Sequence, residues 1–372
     1  MSEIKQNMTK RVFQLGYTLN LAGTETVFMN WYRNINRQQV QFDFGVKQTY
    51  NTAFVKEICD MGGRVIVVPE AGGLLGKFKF RFTLHKKLKE YGPYIAFQTH
   101  GYWWAGLDCL IAQLAGIKKR FTISHFADGV QIIPWYKKLM RPLCRLLIYA
   151  FSTQRLAVSQ EAGVSLYGRH ISFQIVHNGI DLQKFAYSPA VRKKKRTELG
   201  LEHKFVVGHI GRFSEQKNHR FLIDIFAEIY KKKANAHLLL LGVGELKEEI
   251  KAKVNQLGLT HAVTFMGSRT DVQDFYQAFD VFVFPSLYEG LGIVSVESQC
   301  SGLPCVMSDV IPKEAFICNA TPVSLDKSPR EWAEIIIEQS KDFERKDESE
   351  VIRQAGFDVK DVGKFIESEY LK

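Results

Sequence analysis

Two carboxylates eight positions apart, Glu289 and Glu297 in the run FVFPSLYEGLGIVSVE, are the residues whose type and spacing most directly suggest chemistry. On one continuous helix, residues eight apart are roughly 80° out of register and do not converge. Here the apolar run 281–284 reads as a strand closed by Pro285, which has no N–H for a neighbouring strand, and a helix is expected from about Ile293 to Gly302. With Glu289 on the intervening loop and Glu297 one turn into the helix, both can meet one ligand. Gly290 and Gly292 let the backbone approach that ligand closely, and the helix start offers N–H groups and a positive dipole end to an anion. The arrangement suits a polyhydroxylated molecule that carries phosphate. Taken singly, either Glu is as readily a solvated surface carboxylate.

Arg212 and Lys217, in GRFSEQKNH, follow another apolar run and precede a helix. The planar arginine fork can hold two phosphate oxygens, and the lysine adds a compact charge. A diphosphate needs such a pair because two negative groups must be neutralised away from bulk water, although an Arg and a Lys five apart are usually surface charges. His100 in FQTHGYWW and His125 in FTISHFAD end apolar segments. A neutral imidazole there can donate to a sugar hydroxyl or act as a base, although a satisfied structural histidine is the commoner outcome for either taken singly. The loop Leu21-Ala22-Gly23-Thr24-Glu25 also joins a strand to a helix. Gly242-Val243-Gly244 is a weak glycine signal; it is not G-x-G-x-x-G and gives little support to a nicotinamide nucleotide.

The elements that must position these residues alternate short apolar strands with amphipathic helices in both halves, the pattern of two parallel-sheet α/β domains. Ligands of such sheets bind at the carboxyl ends of the strands. In the first half strands are expected at 11–15, 42–46, 64–68, 94–98, 120–124 and 155–158, with helices over 24–33 and after Ser159. The second half restarts at 205–210, with a helix over 218–232 and strands at 237–241, 263–266, 281–284 and 304–308. The Asn-Gly of HNGIDLQKF marks a turn between the halves. The charged run 192–198 reads as a solvated helix, and 358–371 as a helix able to pack back on the first domain.

A length of 372 residues suits two domains. Six cysteines without a C-x-x-C pair argue against a zinc site and for reduced thiols. The N-terminus lacks an apolar signal core, and no run of about 18 apolar residues appears, so neither a cleaved signal nor a spanning helix is expected. The net charge of +11 is uneven: residues 1–185 carry 24 Lys+Arg against 11 Asp+Glu, and the remainder is slightly acidic. The excess clusters with aromatic and aliphatic residues at 77–89 (KFKFRFTLHKKLK) and 134–151 (PWYKKLMRPLCRLLIYAF). Such interleaving suits an anionic membrane surface; a solvated basic face is the plainer alternative. No nucleic-acid module is visible, and nucleic acid is not an expected partner.

Together these residues resemble the retaining glycosyltransferases of family 4, the group 1 glycosyltransferases of the GT-B fold, whose members serve capsule, exopolysaccharide and lipopolysaccharide assembly. The likeness runs from the strand at Arg11 to about Pro312. It is carried by E-x7-E at Glu289 and Glu297, by GRFSEQKNH as the donor-phosphate segment, by AGTE as the early G-G-x-E loop and by HNGIDLQKF at the close of the first domain. Four elements in order are specific where a lone E-x7-E is not. The resemblance implies an α/β GT-B architecture, two Rossmann-like parallel-sheet domains facing across a cleft. Residues 1–184 would bind the acceptor, 185–355 the nucleotide-sugar, and 356–372 would form a helix returning to the first domain.

It implies further that Arg212 and Lys217 bind the donor diphosphate, that Glu297 takes the ribose hydroxyls and Glu289 the transferred sugar, and that backbone at Met266 and Gly267 meets the base. Gly290, Leu291, Gly292 and Ile293 would shape the loop beside sugar and phosphate. His125 would lie near the transferred sugar, and Gly23, Thr24 and His100 on the acceptor and diphosphate side. The catalytic set is then His125, Glu289, Arg212 and Lys217. Ala22 replaces the first glycine of the early pair, so a less close backbone approach is expected there.

The implied reaction moves a hexose or N-acetylhexosamine from a nucleotide-sugar to a polyprenyl-linked glycan acceptor in surface polysaccharide biosynthesis, with retention of configuration. UDP is the preferred nucleotide, with GDP and ADP open. No metal or other cofactor is expected, and no D-x-D pair is present to hold one. The protein is expected in the cytoplasm, peripheral on the inner face of the cell membrane, with its basic N-terminal domain on the anionic surface. Two alternatives stay open: a sugar-nucleotide 2-epimerase on the same scaffold, which would isomerise the donor alone, and a non-catalytic glycan- or partner-binding subunit, against which the intact Arg212, Lys217, Glu289 and Glu297 argue.

Overall fold

Helices cover parallel sheets on both faces, so the strands read as near-continuous apolar runs rather than as alternating ones. A computed structural model describes residues 9–17, 19, 23–48, 53–70, 72–125 and 135–372. Asn20, Leu21, Ala22 and Pro134 lie outside the described residues, as do the side chains of Gly23 and Thr24.

Among the described residues, the first unit comprises those up to Gly179 together with Val359–Lys372. Its strands are β1 (Lys10–Tyr17), β2 (Val40–Val46), β3 (Arg64–Val67), β4 (Ala96–Thr99), β5 (Lys119–Ser124), β6 (Gln154–Ala157) and β7 (Gln174–Ile175). They pair in the order β3-β2-β1-β4-β5-β6-β7. In this register Val12 faces Phe42 on one side and Ala96 on the other. In the middle of β2 Asp43 is fully buried, bonded by Arg11, Arg64 and, at 2.8 Å, the hydroxyl of Tyr94. Burial alone would raise this carboxyl, but the three donors outweigh it and hold its pKa below the ordinary value.

The helix Val359–Leu371 belongs to this unit. It is held by Tyr370, fully buried with its ring edge-on to Phe42 and Phe121 at 5.7 and 5.1 Å. Burying a side chain of this size contributes about 2–3 kcal/mol. Its hydroxyl accepts from Gln14 Nε2 at 2.9 Å and donates to Gln98 Oε1 at 2.6 Å, so the polar end is satisfied.

The second unit, Ile180–Asp358, contains β8 (Phe205–Ile210), β9 (Ala236–Leu241), β10 (Val263–Gly267), β11 (Val281–Phe284), β12 (Cys305–Ser308) and β13 (Ala320–Val323). The order is β10-β9-β8-β11-β12-β13. Each sheet therefore reverses direction once, between β1 and β4 and between β8 and β11, and such switch points open crevices at the strand carboxyl ends.

The charged run 192–198 departs from expectation. It forms a helix, Pro189–Leu199, with Ser188 accepting from Val191 N at its start and Gly200 left-handed at its end. Two of its cations, Lys195 and Arg196, are buried rather than solvated. Arg192 and Arg196 hold Asp280 and, with Arg345, bond the carbonyls of residues 276–279 at the end of the helix Val272–Ala278, where cations are favoured. Burial, then repulsion from Arg192, lowers the pKa of Arg345 to about 9.

Candidate active site

The loop after β8 is sewn to the loop after β11. Leu287 N donates to Gln216 O at 2.8 Å, Asn218 Nδ2 to Pro285 O at 3.2 Å, and Gln216 Nε2 to Tyr288 O at 3.0 Å. These bonds bring Lys217 to Glu289, Nζ to Oε1, at 2.6 Å, and Gln216 Nε2 to the other carboxylate oxygen at 3.2 Å. Lys217 also lies over the ring of Phe284, 4.6 Å from its centre. Glu289 is only 6% exposed, so the solvated reading fails for it. Arg212 stands differently: its side chain is 72% exposed and reaches Glu245 at 3.1 Å.

Gly292 caps the helix Ile293–Cys300 at φ +83, a conformation that a side chain would strain. Ser295 Oγ donates to its carbonyl at 2.7 Å. Leu291 is buried beneath the loop, and Ile293 opens the helix. Glu297 lies one turn in, where its carboxylate accepts from the buried Tyr276 hydroxyl at 2.8 Å. Burial raises the pKa of Glu297 to about 7, against the lowering effects of that hydrogen bond and of Lys184. Neither Gln216 nor Tyr276 is among the site residues expected from the sequence. Gln216 was within reach, one residue before Lys217; nothing local marks Tyr276.

The Gly242-Val243-Gly244 turn is a packing device. A Cβ on Gly242, at φ +138, would lie 2.0 Å from Gly211 O, so only glycine lets this turn run against the backbone of the Arg212 loop. Its N–H donates to Gly267 O at 2.8 Å, tying the ends of β8, β9 and β10 together beside Met266.

In the first unit, His100 ends β4 and His125 ends β5, with His100 Nδ1 and His125 Nε2 2.7 Å apart. His100 Nε2 lies 3.5 Å from Gln14 Oε1 and 3.4 Å from Gln98 Nε2, so the Tyr370 network continues into this pair. Burial lowers His100 well below its ordinary pKa, helped by His125, and brings His125 to about 3. Both rings are therefore neutral at physiological pH. His125 Nδ1 is buried without a hydrogen-bond partner among the described residues. Gly23 and Thr24 begin the helix Gly23–Asn34 after β1.

Among the described residues no group of three or more metal-ligating side chains occurs, all six cysteines are free, and no helix is long and apolar enough to cross a membrane. A family model described as glycosyl transferases group 1 matches residues 204–342. EpsF of Bacillus subtilis (strain 168), which is named as a glycosyltransferase, is 34% identical over 359 residues, covering 94% of this chain and 93% of that one. An Escherichia coli protein named UDP-Gal:alpha-D-GlcNAc-diphosphoundecaprenol alpha-1,3-galactosyltransferase is 26% identical over 317 residues, 80% of this chain and 79% of its own. The crystal structure of Anabaena Alr3699/HepE in complex with UDP and glucose superposes with a TM-score of 0.78 at 20% identity, over 96% of this chain and 98% of that one. In sequence and in the architecture of its two parallel-sheet units, the chain belongs to the group 1 glycosyltransferases of the GT-B fold.

Proposed function

We propose that this chain moves a hexose or N-acetylhexosamine from a UDP-sugar onto a lipid-linked glycan in surface polysaccharide assembly, with retention of anomeric configuration. The observation that carries the reading is the joined set Lys217, Gln216 and Glu289 at the β8/β11 switch point, with the Tyr276-bound Glu297 on the helix that follows. Lys217 and Arg212 neutralise the diphosphate, Arg212 swinging from its exposed bond to Glu245. Glu297 accepts from the ribose hydroxyls, Glu289 from hydroxyls of the transferred sugar, and backbone at Met266 and Gly267 meets the base. The bond from the sugar C1 to the diphosphate breaks with its electrons on the phosphate oxygen. The acceptor oxygen bonds to C1 from the same face, and its proton passes to the departing phosphate. Electrostatic stabilisation and positioning supply the rate, as they do wherever charge develops on a leaving group. His125, neutral, donates to a sugar hydroxyl.

The relatives support both substrates: the name of one carries UDP-Gal and a diphosphoundecaprenol-linked sugar, and the structural neighbour holds UDP and glucose. A lipid acceptor calls for a membrane face. Helix Gly73–Tyr91 exposes Leu75, Phe78 and Phe82 along one stripe with Lys79 and Lys86, which fits an anionic surface at the inner face of the membrane.

The reading is tested by thermal shift with UDP, GDP, ADP and their sugar conjugates on the protein and on Glu297→Ala. A shift with UDP compounds that the variant loses supports it through mass action; no shift with any nucleotide overturns it. Transfer to an acceptor, with the product's anomeric configuration read by NMR, tests retention.

A further inference from the structure

Resting on the reading of the first unit as the acceptor half, we infer that a cavity at the carboxyl ends of β2, β3 and β4 binds the sugar-phosphate head of the acceptor and selects a phosphorylated glycan over a neutral one. The cavity has a volume of about 390 Å³, within the roughly 300–1,000 Å³ range of small-molecule sites. Lys47 follows β2, Glu70 follows β3, and Tyr102, Trp103 and Trp104 follow His100 at the end of β4; all five line it. Helix Gly73–Tyr91 closes it with Lys77 and Arg81.

The lining combines two chemistries. The rings of Tyr102, Trp103 and Trp104 form an apolar part of the wall against which the C–H groups of a sugar can pack, and cations already lie over the two indole rings. Lys77 Nζ sits 4.4 Å from the centre of the Trp104 ring and the Arg81 guanidinium 4.8 Å from it. The charges do not cancel. Lys47 pairs with Glu70, and Arg81 with Asp108 at 3.2 Å, but among the described residues no carboxylate pairs with Lys77. Arg81 is 92% buried, and its Nε–H has no hydrogen-bond acceptor among the described residues. Buried donors are normally satisfied, so an orphan donor beside a surplus cation and an aromatic wall points to an anionic, oxygen-rich ligand. A neutral glycan would use the aromatic wall and leave Lys77 unanswered.

Position ties the cavity to the reaction. His100 is part of its wall and contacts His125. The exposed stripe of Leu75, Phe78 and Phe82 lies on the opposite side of the helix that carries Lys77, roughly 10–12 Å away across one helix. A phosphorylated head whose tail rests in a bilayer can span that distance.

The test uses the full chain and three probes: farnesyl-diphosphate-linked N-acetylglucosamine, N-acetylglucosamine 1-phosphate and free N-acetylglucosamine, titrated calorimetrically. Affinity is expected to fall in that order. Lys77→Gln should weaken the phosphorylated probes at least tenfold, and Trp104→Ala should weaken all three. The UDP thermal shift should be unchanged in both variants, which also shows that they fold. Free sugar binding as tightly as the phosphorylated probes, or Lys77→Gln binding them as the unaltered protein does, overturns the inference. Phosphate-selective binding lost in Lys77→Gln supports it even where UDP gives no shift, a result that would overturn the donor reading instead.

Discussion

Lys217 Nζ lies 2.6 Å from Glu289 Oε1, across 72 positions of sequence. The cation assigned to the donor diphosphate and the carboxylate assigned to the transferred sugar are thus already partners, and a diphosphate must share the lysine with Glu289. Lys217→Ala is expected to lose transfer by about 10²–10³-fold, the scale for removing one transition-state donor. It also strands a largely buried carboxylate; loss of one partner costs at most about 3–5 kcal/mol, less here because Gln216 still donates to it. Near-normal turnover would remove Lys217 from the diphosphate site.

Glu289→Gln frees Lys217 for phosphate. UDP affinity, measured calorimetrically, is expected to hold or tighten while transfer falls. Weaker UDP binding would mean that the ion pair chiefly shapes the loop.

Glu297 has a pKa of about 7, and in the proposed role its ionised form is the one that accepts strongly from two ribose hydroxyls. For UDP-glucose, whose diphosphate carries no group titrating nearby, affinity is expected to rise roughly tenfold between about pH 6 and pH 8, and Glu297→Gln should flatten the profile. The sign for stability is opposite. Between 4.5 and about 7 the folded chain keeps a proton that the unfolded chain has released, so this group's contribution to stability falls as pH rises through that window. A free-protein Tm that does not respond to Glu297→Gln across that range would refute the assignment.

Tyr370→Phe removes one hydroxyl and leaves Gln14 and Gln98 each short of a partner, costing about 1–3 kcal/mol. Because the same glutamines border His100, kcat should fall while KM for the donor stays level. Since His125 is neutral down to about pH 3, the pH–rate profile should show no histidine limb near pH 6.5. Such a limb, abolished by His125→Asn, would contradict the burial of this pair.

Asp280→Ala leaves Arg192 and Arg196 without their carboxylate. A loss of about 3 kcal/mol is expected in urea unfolding, with UDP binding retained in the folded fraction. An unchanged midpoint would mean that the backbone carbonyls alone hold the arginines.

Strands and helix starts were legible because their signals are local: Pro285 ends β11, Ser159 caps its helix, and apolar runs mark both sheets. The candidate set of the second unit could be picked out for the same reason, since Lys217 and Glu289 each lie in the loop that follows an apolar strand. What escaped notice depended on distant partners. Arg196 is buried because Asp280 stands 84 positions away, and Tyr370 meets Gln14 across 356. Tyr276 holds Glu297 from a different helix. Charge along a run gives no hint of which cation will find a buried acid.

The return of Val359–Leu371 to the first unit has a consequence for synthesis on the ribosome. The sheet made first lacks Tyr370, and with it the bonds to Gln14 and Gln98, until all of Ile180–Asp358 has been translated. At roughly 5–20 residues per second this delay is on the order of ten to forty seconds. During that time the nascent first unit exposes the groove that its own last helix will fill, and the second unit, which needs no later segment, is free to fold before it.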